Sequence, residues 1–466
     1  MAATLDTTLA GHALCGTVPS EGAIRVLSAL EAAGLEAWFV GGWVRDALRG
    51  APSHDIDVCC SGSWQESAQA LSAAGIGVVE SGTRFGGITG LASGERIEVT
   101  TYRVDGFYTD GRHPESIVRA SSVEEDLARR DFTVNAMAWH PERGLLDLYD
   151  GRGDLRRGLI RAVGEPWRRF EEDALRMLRA VRFACRLGFA MDPATAEALA
   201  ACAPLLDAVA RERVGVELSG ILATGRGGEA LERYPELMCA AIPELAACRG
   251  FAQQSPYHIY DVYDHTARVL AAAGEENTAP SLMWAALLHD IGKPDCFTLD
   301  EHGRGHFYGH PERGAELAEG IMHRLAQPAP LIREASLLIR YHDRPMRAER
   351  TNLLGVMRLF AGTALDTPRL MNELFDLKRA DALGKAPSCH GYIDDIERMR
   401  EMVRELVANG EAYSIATLAL KGRDLIAAGV APGPGIGRML DRALEATMAG
   451  EVPNRTEDLL AYLLSE

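Results

Sequence analysis

The stretch His54-Asp55-Ile56-Asp57-Val58-Cys59-Cys60 constrains this chain more than any other. Acidic and apolar residues alternate, the period of two that belongs to a half-buried β-strand. Ile56 and Val58 then face a core, and Asp55 and Asp57 share the opposite face. Carboxylates at i and i+2 lie about 6.5–7 Å apart along a strand. Their oxygens can converge on one or two hard cations, such as a Mg²⁺ pair about 3.5–4 Å apart. An isolated D-x-D is more often an exposed strand whose acids meet only water, and here the residues just upstream shift that balance. Ala37-Trp38-Phe39-Val40 is a short apolar strand running into Gly41-Gly42-Trp43-Val44-Arg45-Asp46, a tight turn followed by a helical run. Gly41 and Gly42 let backbone N–H groups approach phosphates closely, and Arg45 adds charge-assisted bonds. A phosphate cradle followed by a two-carboxylate metal strand is the equipment for nucleotidyl transfer.

The segments GGWVRDALRG and HDIDV resemble the first motif of the class II tRNA nucleotidyltransferase and bacterial poly(A) polymerase family, a branch of the polymerase-β-like superfamily. Later segments continue the resemblance in order. Arg129-Arg130-Asp131-Phe132-Thr133-Val134-Asn135-Ala136 is similar to the family's RRDFT-N-A motif, which implies that Arg130 contacts the incoming triphosphate. Asp131 and Asn135 read as loop-fixing residues. On the family's pattern Glu98, in the alternating run Arg96–Tyr102, is a candidate third metal carboxylate; a solvent-facing glutamate reads equally well.

Glu171–Phe183 is expected to be one helix. Arg176, Arg179 and Arg182 recur every three residues, as do Leu175, Leu178 and Val181, giving a basic stripe and a buried one. A salt-bridged surface helix is the plain alternative. The segment also matches the family's E-D-x-x-R-x-x-R motif, which implies that Asp173 and Arg176 read the base while Arg179 and Arg182 support it or the triphosphate. The chemistry agrees. Cytosine and adenine both offer an amino donor beside a ring-nitrogen acceptor, which a carboxylate and a guanidinium complement. Guanine and uracil present the reverse order, at about 1–3 kcal/mol per unpaired buried group. Arg211-Glu212-Arg213-Val214-Gly215-Val216-Glu217-Leu218 resembles a further family helix, read as structural.

Downstream, His265, His289-Asp290 and Asp381 follow the order H…HD…D, which resembles the HD phosphohydrolase superfamily. Imidazoles with carboxylates suit Zn²⁺, Mn²⁺, Fe²⁺ or Ni²⁺, and Mg²⁺ is also open. His310 and His342 read as supporting groups, phosphate contacts or ligands of a second ion. In the tail, Gly435 and Gly437 are placed to begin a helix that could hold a tRNA phosphate, or a plain turn.

With 466 residues the chain has room for two to four domains, and its 47% hydrophobic content suits globular cores. It contains no run of about 18 apolar residues, so no membrane span is expected. The N-terminus lacks a basic patch followed by an apolar core, so a secretory signal is not expected. Nine scattered cysteines without a C-x-x-C pair fit a reducing, cytoplasmic setting. A net charge of −17 argues against a general nucleic-acid binder, yet arginines cluster between residues 129 and 186, which suggests one basic channel.

The expected fold is an α/β polymerase-β-like head at 21–150, a helical neck at 151–245, an HD-type metal-binding body at 246–390 and a helical tail at 391–466. Residues 86–90 are expected to be a turn or flexible loop and 103–120 a mobile loop beside the active site. The resemblance implies Mg²⁺-dependent, template-independent addition of C and A, as CCA, to tRNA 3′ ends from CTP and ATP, with Asp55 and Asp57 catalytic. It leaves open poly(A) or partial addition, and a phosphatase or 2′,3′-cyclic phosphodiesterase activity of the HD site. A rival of another class makes the HD site the main activity and the head an inactive RNA-binding module.

Overall fold

A computed structural model describes residues 14–53, 55–83, 86–104, 118–362 and 366–465. It divides into two compact units, Met1–Val214 and Gly215–Glu466.

The first unit is built on a mixed sheet. Its strands are β1 (Ala37–Val40), β2 (Asp57–Cys60), β3 (Gly77–Val79), β4 (Gly87–Ala92) and β5 (Glu95–Thr101). A short ribbon of β6 (Arg103–Val104) and β7 (Val118–Arg119) follows, then β8 (Met137–His140) and β9 (Gly144–Asp147) complete the sheet. The order across the seven-stranded sheet is β3-β4-β5-β2-β1-β8-β9. β1 and β2 are antiparallel, whereas β2 and β5 are parallel, with Asp57 opposite Glu98. Both faces are covered. Phe39, Val58, Cys60, Ile97 and Val99 join one core with the helices α1 (Glu21–Ala32), α2 (Gly42–Leu48) and α3 (Trp64–Ala73). Trp38, Val40, Cys59 and Tyr102 pack on the other face with Val123 and Leu127 of α4 (Val123–Ala128). Each fully buried aliphatic side chain there contributes about 1.5–3 kcal/mol. Cys59 and Cys60 are therefore core thiols on opposite faces, and all nine cysteines are free.

Several local expectations are corrected. The strand begins at Asp57, with Asp55 just ahead of it, and His54 lies outside the described residues. Residues 87–92 form β4, because pairing with β5 overrides the turn tendency of their glycines. The expected loop at 103–120 falls largely outside the described residues; Arg103 pairs with Arg119 at its base. Residues 146–155 hold the end of β9 and the first part of α5 (Gly151–Arg157). The basic helix is interrupted: α6 (Pro166–Glu172) and α7 (Leu175–Leu187) are separated by Asp173, whose backbone is extended at φ −149° and ψ 102°. The carboxylate explains the break, since Oδ1 accepts from the Leu175 N–H at 3.1 Å, a local bond that competes with helix.

α8 (Pro193–Cys202) and α9 (Arg211–Leu222) lead towards the second unit, which is helical. Within it α10 (Gly227–Arg233), α11 (Pro235–Ala241), α12 (Val262–Glu276), α13 (Pro280–Leu288), α14 (His310–Arg324) and α15 (Ala329–Tyr341) precede α16 (Arg350–Ala361) and α17 (Thr367–Gly384). α12, α13, α15 and α17 pack together around an apolar interior that includes Trp284, Leu288, Leu338 and Phe375. After α18 (Tyr392–Ala408), the helices α19 (Gly422–Ala427), α20 (Pro434–Ala449) and α21 (Thr456–Leu464) share a separate core of leucines that includes Leu425, Leu444 and Leu459. Gly435 and Gly437 lie in the first turn of α20, so the helix reading holds there. No helix among the described residues is long and apolar enough to cross a membrane.

Candidate active site

The turn after β1 places the first group of site residues. Gly41 has φ 69°, a left-handed conformation that glycine adopts without strain, and a Cβ there would sit 3.0 Å from Arg130 Nη1. Behind it, Arg45 is buried and held on three sides. Its Nε and Nη2 donate to the two Asp46 carboxylate oxygens at 2.9 and 2.8 Å, and Nη1 donates to Asn135 Oδ1 at 2.7 Å.

Asp55, Asp57 and Glu98 open onto one cavity of about 540 Å³, together with Gly41, Gly42 and Arg45. The parallel register sets Asp57 beside Glu98. Burial, then the charge of Glu98, raises the Asp57 carboxyl to about 6, with Arg130 opposing and Asp55 adding to the rise. Such a cluster of mutually repelling acids favours a bound cation, so the donor set fits Mg²⁺.

Arg130, Asp173, Arg176, Arg179 and Arg182 line the same cavity. Each is set by a partner. Asp126, fully buried, accepts from Arg129 at 2.7 Å and from Arg130 at 3.1 Å. Burial works against its ionisation, but the two arginines outweigh it and hold its carboxyl below the usual range. Asp131 Oδ2 accepts from both Arg179 Nε and Nη2, at 2.9 and 2.7 Å, and this charge, with Arg176 and the Asn135 bond, outweighs burial and holds the carboxyl below its usual range. Arg176 donates to Glu172 at 2.6 Å and to the Arg129 carbonyl at 3.1 Å. The guanidinium groups of Arg45, Arg179 and Arg182 lie 5.4, 5.7 and 4.9 Å from the ring of Phe183.

Asp173 is held from outside its own helix. Its Oδ2 accepts from Arg213 Nη2 at 3.0 Å, so the helix read as structural supplies a residue to the cavity. Arg213 carried a signal in the sequence, its place in the R-E-R-x-x-x-E-L segment, but was read as structural; Asp126 and Phe183 were not singled out, since each acts through a partner distant in the chain or on a neighbouring turn.

The second unit carries a second cavity, of about 460 Å³, above the ends of several helices. His265 lies near the start of α12, His289 and Asp290 follow α13, His310 begins α14, His342 follows α15, and Asp381 lies late in α17. The four expected ligands are brought together: His265 Nε2 is 3.3 Å from Asp290 Oδ2, 3.1 Å from Asp381 Oδ1 and 3.3 Å from His289 Nε2. His289 Nε2 is 3.2 Å from Asp290 Oδ2. Both histidines point Nδ1 at a carbonyl, Gly384 for His265 and Ala286 for His289, at 3.1 and 2.9 Å. A carbonyl only accepts, so each Nδ1 carries a proton and each Nε2 is the atom turned towards the carboxylates. With Nε2 unprotonated, the two imidazoles and the two carboxylates are a donor set for a divalent cation. Lys293 and Lys385, at 2.6 Å from Asp290 Oδ2 and 2.5 Å from Asp381 Oδ2, offset the carboxylate charges.

The chain matches the family model of the poly A polymerase head domain over residues 37–161 and that of the HD domain over residues 262–385. The CCA-adding enzyme of Limosilactobacillus fermentum is 33% identical over 95% of this chain and 97% of its own length. That of Lacticaseibacillus paracasei is 32% identical over 94% of each chain. The crystal structure of the Bacillus stearothermophilus CCA-adding enzyme in complex with CTP superposes with a TM-score of 0.65 at 26% identity, covering 99% of this chain and 98% of its own. The Thermotoga maritima CCA-adding enzyme complexed with tRNA shares the fold, with a TM-score of 0.58 at 20% identity over 95% of this chain and 94% of its own.

Proposed function

We propose the function from one premise: the chain belongs to the CCA-adding enzyme family. It is a nucleotidyltransferase that adds C and A to tRNA 3′ ends from CTP and ATP. The observation that carries this reading is the single cavity where the Asp55, Asp57 and Glu98 carboxylates meet Asp173 and the arginines.

Asp55, Asp57 and Glu98 would hold Mg²⁺, which lowers the pKa of an attacking hydroxyl and neutralises triphosphate charge. The backbone turn at Gly41 and Gly42 lets the nucleotide phosphates approach, and Arg130, aimed by Asp126, binds the triphosphate. Arg45, locked by Asp46 and Asn135, sets the first turn of α2 and adds positive potential behind the phosphates. Asp173 accepts from the exocyclic amine of cytosine or adenine, and Arg176 donates to the adjacent ring nitrogen. Arg179 and Arg182 frame the base through Phe183. G and U meet like groups at both positions, so selection needs no nucleic-acid template.

The test is incubation with Mg²⁺, CTP and ATP on three tRNAs ending before, within and after the first two cytidines. Ordered growth that stops at CCA is expected. Long A-tracts would make this a poly(A) polymerase, and A added only to a CC end would make it a partial enzyme.

The second cavity supports a phosphoester hydrolase reading, with 2′,3′-cyclic phosphates among its substrates. Tyr257 and Tyr308 are exposed at its rim, with Arg304 stacked 5.1 Å from the Tyr257 ring and His306 5.2 Å from that of Tyr308. Aromatic faces with arginines suit a base and its phosphate. Its ion would be a divalent transition metal or Mg²⁺, held by His265, His289, Asp290 and Asp381. Phosphate release from 2′,3′-cyclic nucleotides, lost in Asp290→Ala, is the check. The same reading divides the chain into head, neck, HD body and tail near residues 150, 245 and 390, and places it in the cytoplasm with its thiols reduced.

A further inference from the structure

The arginines of α5 are sorted onto two sides. Arg157 donates to Asp150 and Asp154 at 2.7 and 2.6 Å, and Arg161, just beyond the helix, donates to Asp154 at 2.8 Å. Arg152 and Arg156 are exposed, and among the described residues neither has a carboxylate within ion-pair distance. They stand at i and i+4, one turn apart, where like charges repel. Acids are abundant in a chain of net charge −17, so two adjacent cations left uncompensated mark a surface that takes its counter-charge from elsewhere.

Both arginines line a third cavity, also in the first unit, of about 370 Å³, together with Arg49 and Phe189. The Arg49 guanidinium lies 5.5 Å from the Phe189 ring, and its ion-pair partner is Asp46 at 3.7 Å. Asp46 already accepts from Arg45 at 2.9 and 2.8 Å, so one carboxylate serves two guanidiniums and a positive charge remains. Contact with the aromatic ring holds Arg49 in place before a ligand arrives. The basic surface also reaches the first cavity. Arg186, exposed and without a carboxylate partner among the described residues, lines that cavity three residues before Phe189. Asp46 lines it too, one turn before Arg49. The two cavities therefore share the ends of α2 and α7. A row of uncompensated arginines beside a nucleotide site fits a polyanion whose charges repeat along a chain, the backbone of a nucleic acid. A free nucleotide gathers its charge at one point and would leave most of the row unused.

We propose that the groove of Arg49, Arg152 and Arg156 holds backbone phosphates of the tRNA acceptor stem while the 3′ end reacts in the first cavity. The inference rests on reading the chain as a tRNA nucleotidyltransferase, and it adds where the body of the substrate lies on the head. Arg152 and Arg156 contact the phosphates, and Arg49, held by Phe189, sits beside them.

The test measures steady-state CTP addition to a tRNA ending before the first cytidine, and in parallel the fluorescence anisotropy of the same tRNA, labelled, without nucleotides. Arg152→Gln and Arg156→Gln, singly and together, are compared with Arg157→Gln, which removes the same charge from the compensated side of the helix. At about 0.1 M salt one lost phosphate contact is roughly eightfold in affinity. Each single variant should raise KM for tRNA by that factor while leaving kcat and the KM for CTP unchanged. The log–log salt dependence of tRNA binding should flatten by about 0.9 in each, and by about 1.8 in the double variant. Arg157→Gln should move none of these. A raised KM for CTP with tRNA binding unaltered would overturn the proposal in favour of a nucleotide-entry site. Equal losses in Arg157→Gln would reduce the effect to net charge and overturn it as well. Addition by the parent chain with tRNA affinity unaltered in the variants would overturn this proposal alone. No addition by the parent chain would overturn the functional reading, and the anisotropy would still decide whether the groove binds tRNA.

Discussion

Replacing Arg213 with alanine probes how the carboxylate proposed to read the base, that of Asp173, is aimed. Arg213 Nη2 lies 3.0 Å from Asp173 Oδ2, and the two side chains are 34% and 21% exposed. A charge-assisted bond of this kind is worth about 1.5–3 kcal/mol when buried, and solvent at this exposure reduces it to about 1 kcal/mol. The bond from the Leu175 N–H to Oδ1, at 3.1 Å, survives, so the carboxylate stays in place but turns about its own axis. A loss of about 1 kcal/mol is roughly fivefold in kcat/KM for CTP. UTP meets Asp173 as a repulsive neighbour, so a loosened carboxylate relieves rather than weakens its binding. The ratio of kcat/KM for CTP over UTP should therefore fall by roughly five- to tenfold, measured as single-nucleotide addition to a tRNA ending before the first cytidine. Arg213→Lys keeps the charge without the planar fork and should fall between the two. If both nucleotides lose activity equally and the ratio holds, Arg213 only supports the fold and the positioning argument is refuted.

Asp57→Asn should abolish nucleotide addition while leaving thermal stability equal or higher. Burial and Glu98 raise the Asp57 carboxyl to about 6, above its unfolded value, so its charged form opposes folding at neutral pH; a lower melting temperature would contradict this. Gly41→Ala forces a side chain into φ 69° and towards Arg130, at about 1–2 kcal/mol for the backbone alone, and should reduce addition at least tenfold by steady-state kinetics. Gly42→Ala, whose added carbon would meet nothing closer than 3.7 Å, should be mild by comparison, and equal losses would remove the steric argument. Arg45→Met leaves Asp46 buried without its guanidinium and should cost about 3–5 kcal/mol in denaturant unfolding; a loss under about 1 kcal/mol would mean that water reaches Asp46.

Much of the candidate site in the head was legible because its residues are neighbours in the chain. Asp55 and Asp57 alternate with Ile56 and Val58, and Gly41 and Arg45 fall one helical turn apart, so short-range periodicity exposes them. Glu98 was ambiguous for the opposite reason: only the parallel register with β2 sets it beside Asp57. Residues 87–92 misread as a turn because their glycines signal bends locally, while the ladder to β5 decides their conformation. Glu171–Phe183 misread as one helix because no local pattern marks the break, which the Asp173 side chain makes by accepting from the Leu175 N–H just ahead of the arginine stripe.

From the sequence alone came the chemistry on offer: a glycine turn before paired acids, arginines at helical spacing, and histidines and aspartates in a metal-binding order. Those patterns arise from interactions over two to four residues, and any conformation of the rest would preserve them. Tertiary structure decided which groups meet. It brought Arg213 to Asp173 across 40 residues, and Asp381 to His265 across 116. It also turned His310 and His342 onto the second oxygen of Asp290. Such meetings depend on strand register and on how helix ends pack around a shared core, which no local pattern encodes.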